Sequence, residues 1–286
     1  MRSVTLNNGI EMPILGFGTF QLNDSKECEE AVANALEAGY RFIDTASSYE
    51  NEVFIGRAIS KSALPREELF IESKMWVQDF GRGKTRDAFE RSCERLGVDY
   101  LDCCLLHQNF GDVYGAWRDL EDLYDAGRIR AIGVSNFYPD RLYDLMLHNR
   151  VAPAVNQIEI NPFCQQIESR RFMAEHGVQA QAWSTLATGR NNIFQNPGLK
   201  AIAEKHNRSV AQVTLRWALQ QGLVAIPEAA SKAHMLENLS LFDFELDEND
   251  MATVEAMNTE TSVYFGRLAH RDPEVVKGLG TLIFNT

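Results

Sequence analysis

Asp44 and Tyr49 stand five positions apart in the stretch Gly39-Tyr-Arg-Phe-Ile-Asp-Thr-Ala-Ser-Ser-Tyr-Glu-Asn-Glu52. Tyr40 to Ile43 reads as a short buried strand, so Asp44 falls at its end and Tyr49 in the polar loop beyond. Packing alone does not call for a carboxylate and a phenol there. Two further groups fall at strand ends: Lys74 closes Leu69-Phe-Ile-Glu-Ser-Lys74, and His107 follows Leu101-Asp-Cys-Cys-Leu-Leu106. A lysine in such a place must be paired or hydrated, because burying an isolated ammonium is costly. Asp44 is its natural partner. A lysine beside a phenol favours phenolate and is expected to move the tyrosine pKa down from about 10 toward the working range. A general acid needs that range. His107 is placed to hydrogen-bond the same substrate oxygen. Each residue alone has a plainer reading: a loop tyrosine is more often structural, and Lys74 with Asp44 is compatible with a simple ion pair. The joint placement of all four at one rim favours chemistry.

That rim exists only if the chain builds a barrel. Val4-Thr-Leu-Asn-Asn-Gly-Ile-Glu-Met12 reads as a hairpin with a type I′ turn at Asn8-Gly9, and Ile14 to Gly18 as a first strand. Asp24 to Gly39 carries a helix start in capping-box form with Glu27, a stripe of Cys28, Ala31, Val32, Ala35 and Leu36, and a glycine stop. Apolar strands and helices then alternate, with strands near 40–43, 69–74, 101–106, 131–134, 154–157, 178–183 and 223–226. The last helices fall near 232–240 and 247–257, ahead of a tail. Eight βα units without a change of composition predict an α/β fold, a (β/α)8 TIM barrel in one domain over residues 1–286. A doubly wound open sheet is the structural alternative.

Composition narrows the function. A net charge of −12 over 286 residues argues against nucleic acid or an anionic membrane, both of which need clustered Lys and Arg. Five cysteines, an odd number without Cys-x-x-Cys spacing, argue against a disulfide framework or a metal site. The amino terminus lacks a signal-like apolar run, and no segment approaches the ~20 apolar residues of a membrane span. A cytoplasmic monomer acting on small molecules is expected. Gly16-Phe-Gly18 begins like a dinucleotide fingerprint, but Gln21 occupies the place of the third glycine, so it carries no weight.

The Gly39–Glu52 stretch resembles the signature of the aldo-keto reductases. So do Ser73-Lys-Met-Trp76, Leu105-Leu-His-Gln108, Gly133-Val-Ser-Asn-Phe137 and Asn156-Gln-Ile-Glu-Ile-Asn-Pro162. The motifs run in the family's order over nearly the whole chain, and the hairpin corresponds to the one that closes the barrel floor. The short tail and the short loop after Trp76 resemble the bacterial 2,5-diketo-gluconate reductase-like members. The resemblance implies an NAD(P)H-dependent reduction of aldehydes or ketones: hydride passes from the nicotinamide to the carbonyl carbon while Tyr49 protonates the oxygen. Lys74 and Asp44 tune Tyr49, and His107 orients the carbonyl. Ser135, Asn136 and Gln157 match the carboxamide-holding positions, and Trp183 the aromatic on which the ring stacks. Ser184 and Leu186 match the pyrophosphate loop, in which Thr185 replaces the usual proline. Gly18, Thr19, Phe20 and Trp76 match groups near nicotinamide and substrate.

One departure is informative. Where the family commonly reads Ile-Pro-Lys-Ser with an arginine six residues after the lysine, this chain has Glu228, Ala229 and His234; the adenine-side pair Glu237 and Asn238 is kept. Two cations and a hydroxyl that would grip a 2′-phosphate have become an anion, a methyl and an imidazole. A carboxylate repels a phosphate but accepts hydrogen bonds from a free ribose, so a shift from NADPH toward NADH is expected. Lys232 stands close enough in sequence to restore some phosphate affinity. A cofactor-binding regulatory subunit with little turnover is the alternative function, and the complete Asp44–Tyr49–Lys74–His107 set argues against it.

Overall fold

The computed structural model describes residues 2–229 and 231–286. The chain opens with a two-stranded antiparallel hairpin, β1 (Ser3–Thr5) and β2 (Glu11–Pro13). Its turn is longer than the type I′ reading: Leu6 N donates to Ile10 O, and only Gly9, at φ 84°, is left-handed. Asn8 serves another purpose, since its side chain accepts from Ile10 N and donates to Arg130 O on the barrel. Asn7 reaches Pro153 O in the same way, and Leu6 and Met12 plug the barrel interior beside Phe42, Phe70 and Val155. The hairpin therefore closes the floor.

The barrel follows in order: β3 (Phe17–Gly18), α1 (Ser25–Ala38), β4 (Phe42–Asp44), α2 (Glu52–Lys61), β5 (Phe70–Met75), α3 (Lys84–Leu96), β6 (Leu101–Leu106) and α4 (Val113–Asp125). The second half comprises β7 (Ile129–Ser135), α5 (Pro139–Leu147), β8 (Val155–Glu159), α6 (Ile167–Glu175), β9 (Gln179–Trp183), α7 (Pro197–His206), α8 (Val210–Gln220), β10 (Val224–Ala225) and α9 (Lys232–Leu239). Two helices close the chain, α10 (Glu248–Glu255) and α11 (Pro273–Gly280). The last lies in the segment read from sequence as a tail.

Strands β3 to β10 form one eight-stranded sheet in sequential parallel order. A parallel bridge between Leu15 and Ala225 joins its two ends, with Gly16 N donating to Ala225 O at 2.8 Å and Gly18 N to Pro227 O at 3.2 Å. The alternation of short apolar strands with amphipathic helices thus closes on itself as expected of a (β/α)8 barrel. Helix α1 shows why the local reading works. The Asp24 side chain accepts from Lys26 N and Glu27 N, Gly39 at φ 114° ends the helix, and the stripe from Cys28 to Leu36 is buried. The cap lacks the reciprocal Glu27 bond of a capping box. No helix among the described residues is long and apolar enough to cross a membrane.

Candidate active site

The rim at the carboxyl ends of the strands is built by short polar staples. After β4, a 3₁₀ turn (Ser47–Tyr49) swings Tyr49 back over the barrel mouth. Ser47 Oγ donates to Lys74 O at 3.0 Å, pinning the turn to β5. Asn51 accepts from Thr45 Oγ1 and donates to Thr19 O, tying the exits of β3 and β4 together. Tyr49 is thereby fixed by backbone contacts while its ring faces an open cavity.

Beneath that ring lies Lys74, fully buried, its Nζ donating to Asp44 Oδ1 at 2.6 Å and to Thr45 O at 2.7 Å. The ammonium sits 5.1 Å from the centre of the Tyr49 ring. Burial pulls the Lys74 pKa down, but Asp44, Tyr49 and Glu72 outweigh it, and the group is held charged. Tyr49 moves opposite to the sequence expectation. Burial pushes its phenol up to about 12; Lys74 opposes this, while Asp44 and Glu228 reinforce it. Its ring borders the cavity, but the walls around it withhold enough water for desolvation to win over a single nearby cation. The phenol therefore keeps its proton at neutral pH, and the Lys74 ammonium is its nearest cation.

His107 completes the set. Its ring lies edge-on to Tyr49 at 5.8 Å and to Trp76 at 5.0 Å, with Nδ1 3.4 Å from Ser48 Oγ. Burial, then the charge of Lys74, holds its pKa well below the usual histidine range, so it is a neutral hydrogen-bonding ring. All four predicted groups meet at one cavity or just beneath it.

That cavity measures about 1100 Å³ and is bordered by most of the residues singled out from sequence: Gly18, Phe20, Ser135, Asn136, Gln157, Trp183, Ser184, Leu186 and Glu228. Asn136 and Ser184 take left-handed backbone there, at φ 65° and 55°. Asn136 donates to His107 O and accepts from Trp183 Nε1, which locks the indole. Gly18 shows how tight this wall is, since a Cβ there would meet Ile226 O at 2.6 Å. Side by side, a hydroxyl, two carboxamides and an indole face suit a planar amide-bearing ring.

Other predicted residues lie outside the cavity wall. Thr19 is buried and donates to Asp44 O, so its role is to join strand ends. Ala229 packs into the core, and His234, Glu237 and Asn238 ride on α9 beyond β10. Lys232 is paired with Glu37 at 2.6 Å. Glu228 borders the cavity itself. Water reaches it through the mouth, yet the surrounding walls, and then the Asp44 charge, push its carboxyl up to about 7.

Sequence reasoning passed over Glu72. It pairs in register with Asp44, is fully buried, and accepts from Gln157 Nε2 at 3.1 Å and Gln181 Nε2 at 2.8 Å. Gln157 Nε2 also donates to Asp44 Oδ1 at 2.9 Å, so one amide bridges the two carboxyls across the barrel. The signal was available: residues two apart in a strand share a face, and Lys74 points inward. Burial, then Asp44, raises the Glu72 pKa from 4.5 to about 8. A carboxyl raised in this way keeps its proton when folded over a pH range in which the unfolded chain has lost it. Its contribution to stability is complete below about 4.5 and is lost as pH rises through about 8. Glu72→Gln is expected to remove that slope, stabilising the protein at pH ~8.5 relative to pH ~6 by a few kcal/mol more than in the parent. Urea midpoints at the two pH values read this directly, and an unchanged slope would show Glu72 to be ionised.

Leu282 and Phe284, near the end of the chain, were also missed, although the tail around Tyr264 and Phe265 was expected to shape the site and does border the cavity. Trp76 Nε1 donates to Leu282 O, Gln78 exchanges hydrogen bonds with the Phe284 backbone, and Phe284 meets Trp76 edge-on at 5.3 Å. Leu282 and Phe284 thereby wall the cavity over His107.

Fold and rim together define a barrel enzyme with its polar chemistry set in an aromatic cavity. The aldo/keto reductase family model matches residues 14–259. The chain is 47% identical over 262 residues to a glyoxal reductase of Bacillus subtilis, covering 91% of this chain and 94% of that protein. It is 43% identical to a 9,11-endoperoxide prostaglandin H2 reductase of Trypanosoma cruzi, covering 91% and 93%. An aldo-keto reductase from a Medee basin deep-sea metagenome library superposes with a TM-score of 0.90 at 38% identity, over 92% of this chain and 98% of that one. The NADP complex of a Bombyx mori aldo-keto reductase gives 0.87 at 31% identity, over 91% and 94%. The chain belongs to the aldo/keto reductase family. It is an NAD(P)H-dependent oxidoreductase that reduces carbonyl compounds.

Proposed function

We propose that this reductase uses Tyr49 as the proton donor, Lys74 and Asp44 as the pair that stabilises the resulting phenolate, and His107 as the hydrogen-bond donor that orients the substrate carbonyl. The observation that carries this reading is the buried Lys74–Asp44 pair set directly under a protonated phenol, with a neutral imidazole across from it. Ser135, Asn136, Gln157 and Trp183 would hold the nicotinamide end, and Ser184 and Leu186 the pyrophosphate. When bound, a reduced nicotinamide supplies the hydride that reduces the carbonyl carbon. Tyr49 then delivers its proton to the carbonyl oxygen, and the adjacent ammonium offsets the charge left on the phenol. A purely binding role gives no account of a buried ion pair whose desolvation is costly. The chain's own closing segment completes the cavity, which supports a monomer as the working unit. The likeness to the 2,5-diketo-gluconate reductase branch is supported only by the short turn after Trp76.

The cofactor reading rests on Glu228. Its carboxylate borders the cavity, and Lys232, the cation nearest in sequence, is engaged with Glu37. The enzyme is expected to favour NADH. With the Glu228 carboxyl pushed up to about 7 by the surrounding walls, its repulsion of a 2′-phosphate, and with it the NADH preference, is expected to grow as pH rises through neutrality. Glu228→Lys is expected to move the kcat/KM ratio toward NADPH by about tenfold or more. Initial rates with both cofactors decide the matter: a strong NADPH preference in the parent enzyme overturns the cofactor reading and leaves the proton-donor reading standing. The proton-donor reading is tested by a Tyr49→Phe variant against an aldehyde panel.

A further inference from the structure

Glu72 is buried beneath the rim and has no task in the reaction as proposed. It belongs to a polar layer inside the barrel with Gln157 on β8 and Gln181 on β9, both also buried. Gln157 and Gln181 are neighbours in register across the β8–β9 ladder. Glu72 reaches them from β5, on the other side of the interior, and its Oε1 accepts from Gln157 Nε2 at 3.1 Å and from Gln181 Nε2 at 2.8 Å. One carboxyl oxygen thus holds two carboxamides at once.

The direction of the Gln157 side chain follows. Its nitrogen also donates to Asp44 Oδ1 at 2.9 Å, so both of its N–H bonds are spent on carboxyl oxygens below the rim. Turned the other way, its oxygen would face the Asp44 carboxylate, acceptor against acceptor. Gln157 Oε1 takes no hydrogen bond among the described residues and is left open to the cavity that Gln157 borders. Gln181 is the competitor for that oxygen. Its Nε2 lies in a dry interior and must find an acceptor, and the Gln157 carboxamide is its neighbour in the ladder. Glu72 supplies the acceptor and so leaves the Gln157 oxygen free. The neutral form of Glu72 suits this place: Glu72 Oε2 and Gln181 Oε1 are both buried without a partner, and a proton on Glu72 gives these two acceptors the donor they lack. Burial, then Asp44, pushes that carboxyl up to about 8, so the proton stays at neutral pH.

We propose that Glu72 is a positioning residue: by engaging Gln157 and Gln181 together it presents the Gln157 oxygen to the cavity, as the acceptor for the amide N–H of a bound nicotinamide. This rests on the nicotinamide placement given above and adds to it the residue that sets the direction of one hydrogen bond.

Reduced 3-acetylpyridine adenine dinucleotide tests it against NADH, because it keeps the carbonyl of the carboxamide and carries a methyl in place of the amino group. Dissociation constants from isothermal titration need no carbonyl substrate. The parent protein is expected to bind NADH more tightly than the acetyl compound by roughly fivefold or more. In Glu72→Leu that ratio should fall to about twofold or less, through weaker NADH binding with little change for the acetyl compound. In Glu72→Gln, whose amide oxygen can accept the same two bonds, it should stay near the parent value. A general loosening of the barrel would weaken both dinucleotides together and leave the ratio where it was. Glu72→Thr, too short to span the interior, serves if Glu72→Leu does not fold, with thermal melting as the check. If NADPH is the favoured cofactor, its acetylpyridine counterpart gives the same comparison. A parent ratio near one, or a ratio unchanged in the folded Glu72→Leu or Glu72→Thr variant, overturns the positioning role. Failure of every dinucleotide to bind the parent protein overturns the nicotinamide placement instead.

Discussion

Tyr49→Phe is expected to lower kcat by about 10²- to 10⁴-fold while leaving cofactor affinity nearly unchanged. The substitution removes one oxygen and keeps the ring that meets Phe20 at 5.1 Å and His107 at 5.8 Å, so the cavity wall should survive. His107 and Lys74 are not expected to replace the proton. His107 is held neutral, and Lys74 is committed to Asp44 and Thr45 O. Burial pushes the phenol up to about 12, so the parent's reduction rate should show no loss from Tyr49 ionisation through neutral and mildly alkaline pH. Stopped-flow turnover, with cofactor titration by quenching of Trp183 fluorescence, separates the two effects. Turnover close to that of the parent would remove Tyr49 as the acid.

Lys74→Met should damage stability and chemistry together. It leaves Asp44 buried beside Glu72 with Gln157 as a remaining donor, and breaking a buried pair from one side costs about 3–5 kcal/mol. Adding Asp44→Asn should recover much of that loss, because the stranded charge goes with it. Turnover should not recover, since the cation proposed to offset the phenolate charge is still missing. Denaturation and rate measurements on the two single variants and the double variant form the cycle. Equal recovery of stability and rate would mean that Lys74 acts only as a brace.

The candidate site was legible because the fold brings strand ends together at one rim. Once β4, β5 and β6 are read in register, Asp44, Lys74 and His107 must share a rim, and the loop after β4 brings Tyr49 to it. Glu72 obeys the same rule and was within reach. What the sequence hides is the balance of competing effects. Lys74 beside Tyr49 foretold a lowered phenol pKa, but burial, which no residue list shows, reverses the sign. Asn8-Gly9 foretold a two-residue turn, but the side chain of Asn8 is more useful bonded to Arg130 O across the barrel floor. Lys232 looked free to grip a phosphate until α1 placed Glu37 beside it. His270 and Phe284 lie in a closing segment whose path no periodicity encodes, and only the packed structure brings them to the cavity.

The seam between β3 and β10 has a consequence for how the protein comes into being. Gly18 leaves the first barrel strand and Glu228 follows the last, and they meet only because Gly16 and Gly18 bond to Ala225 and Pro227. This is a contact between distant parts of the chain, and such pairings are slow to form because a long loop must first be closed. An incompletely folded chain lacking β10 would hold the Lys74–Asp44 pair but lack the side of the cavity that Ile226, Pro227 and Glu228 supply. On a ribosome, where the N-terminal strands emerge first, the complete cavity should arrive with the final strand, making full-affinity ligand binding a report on ring closure.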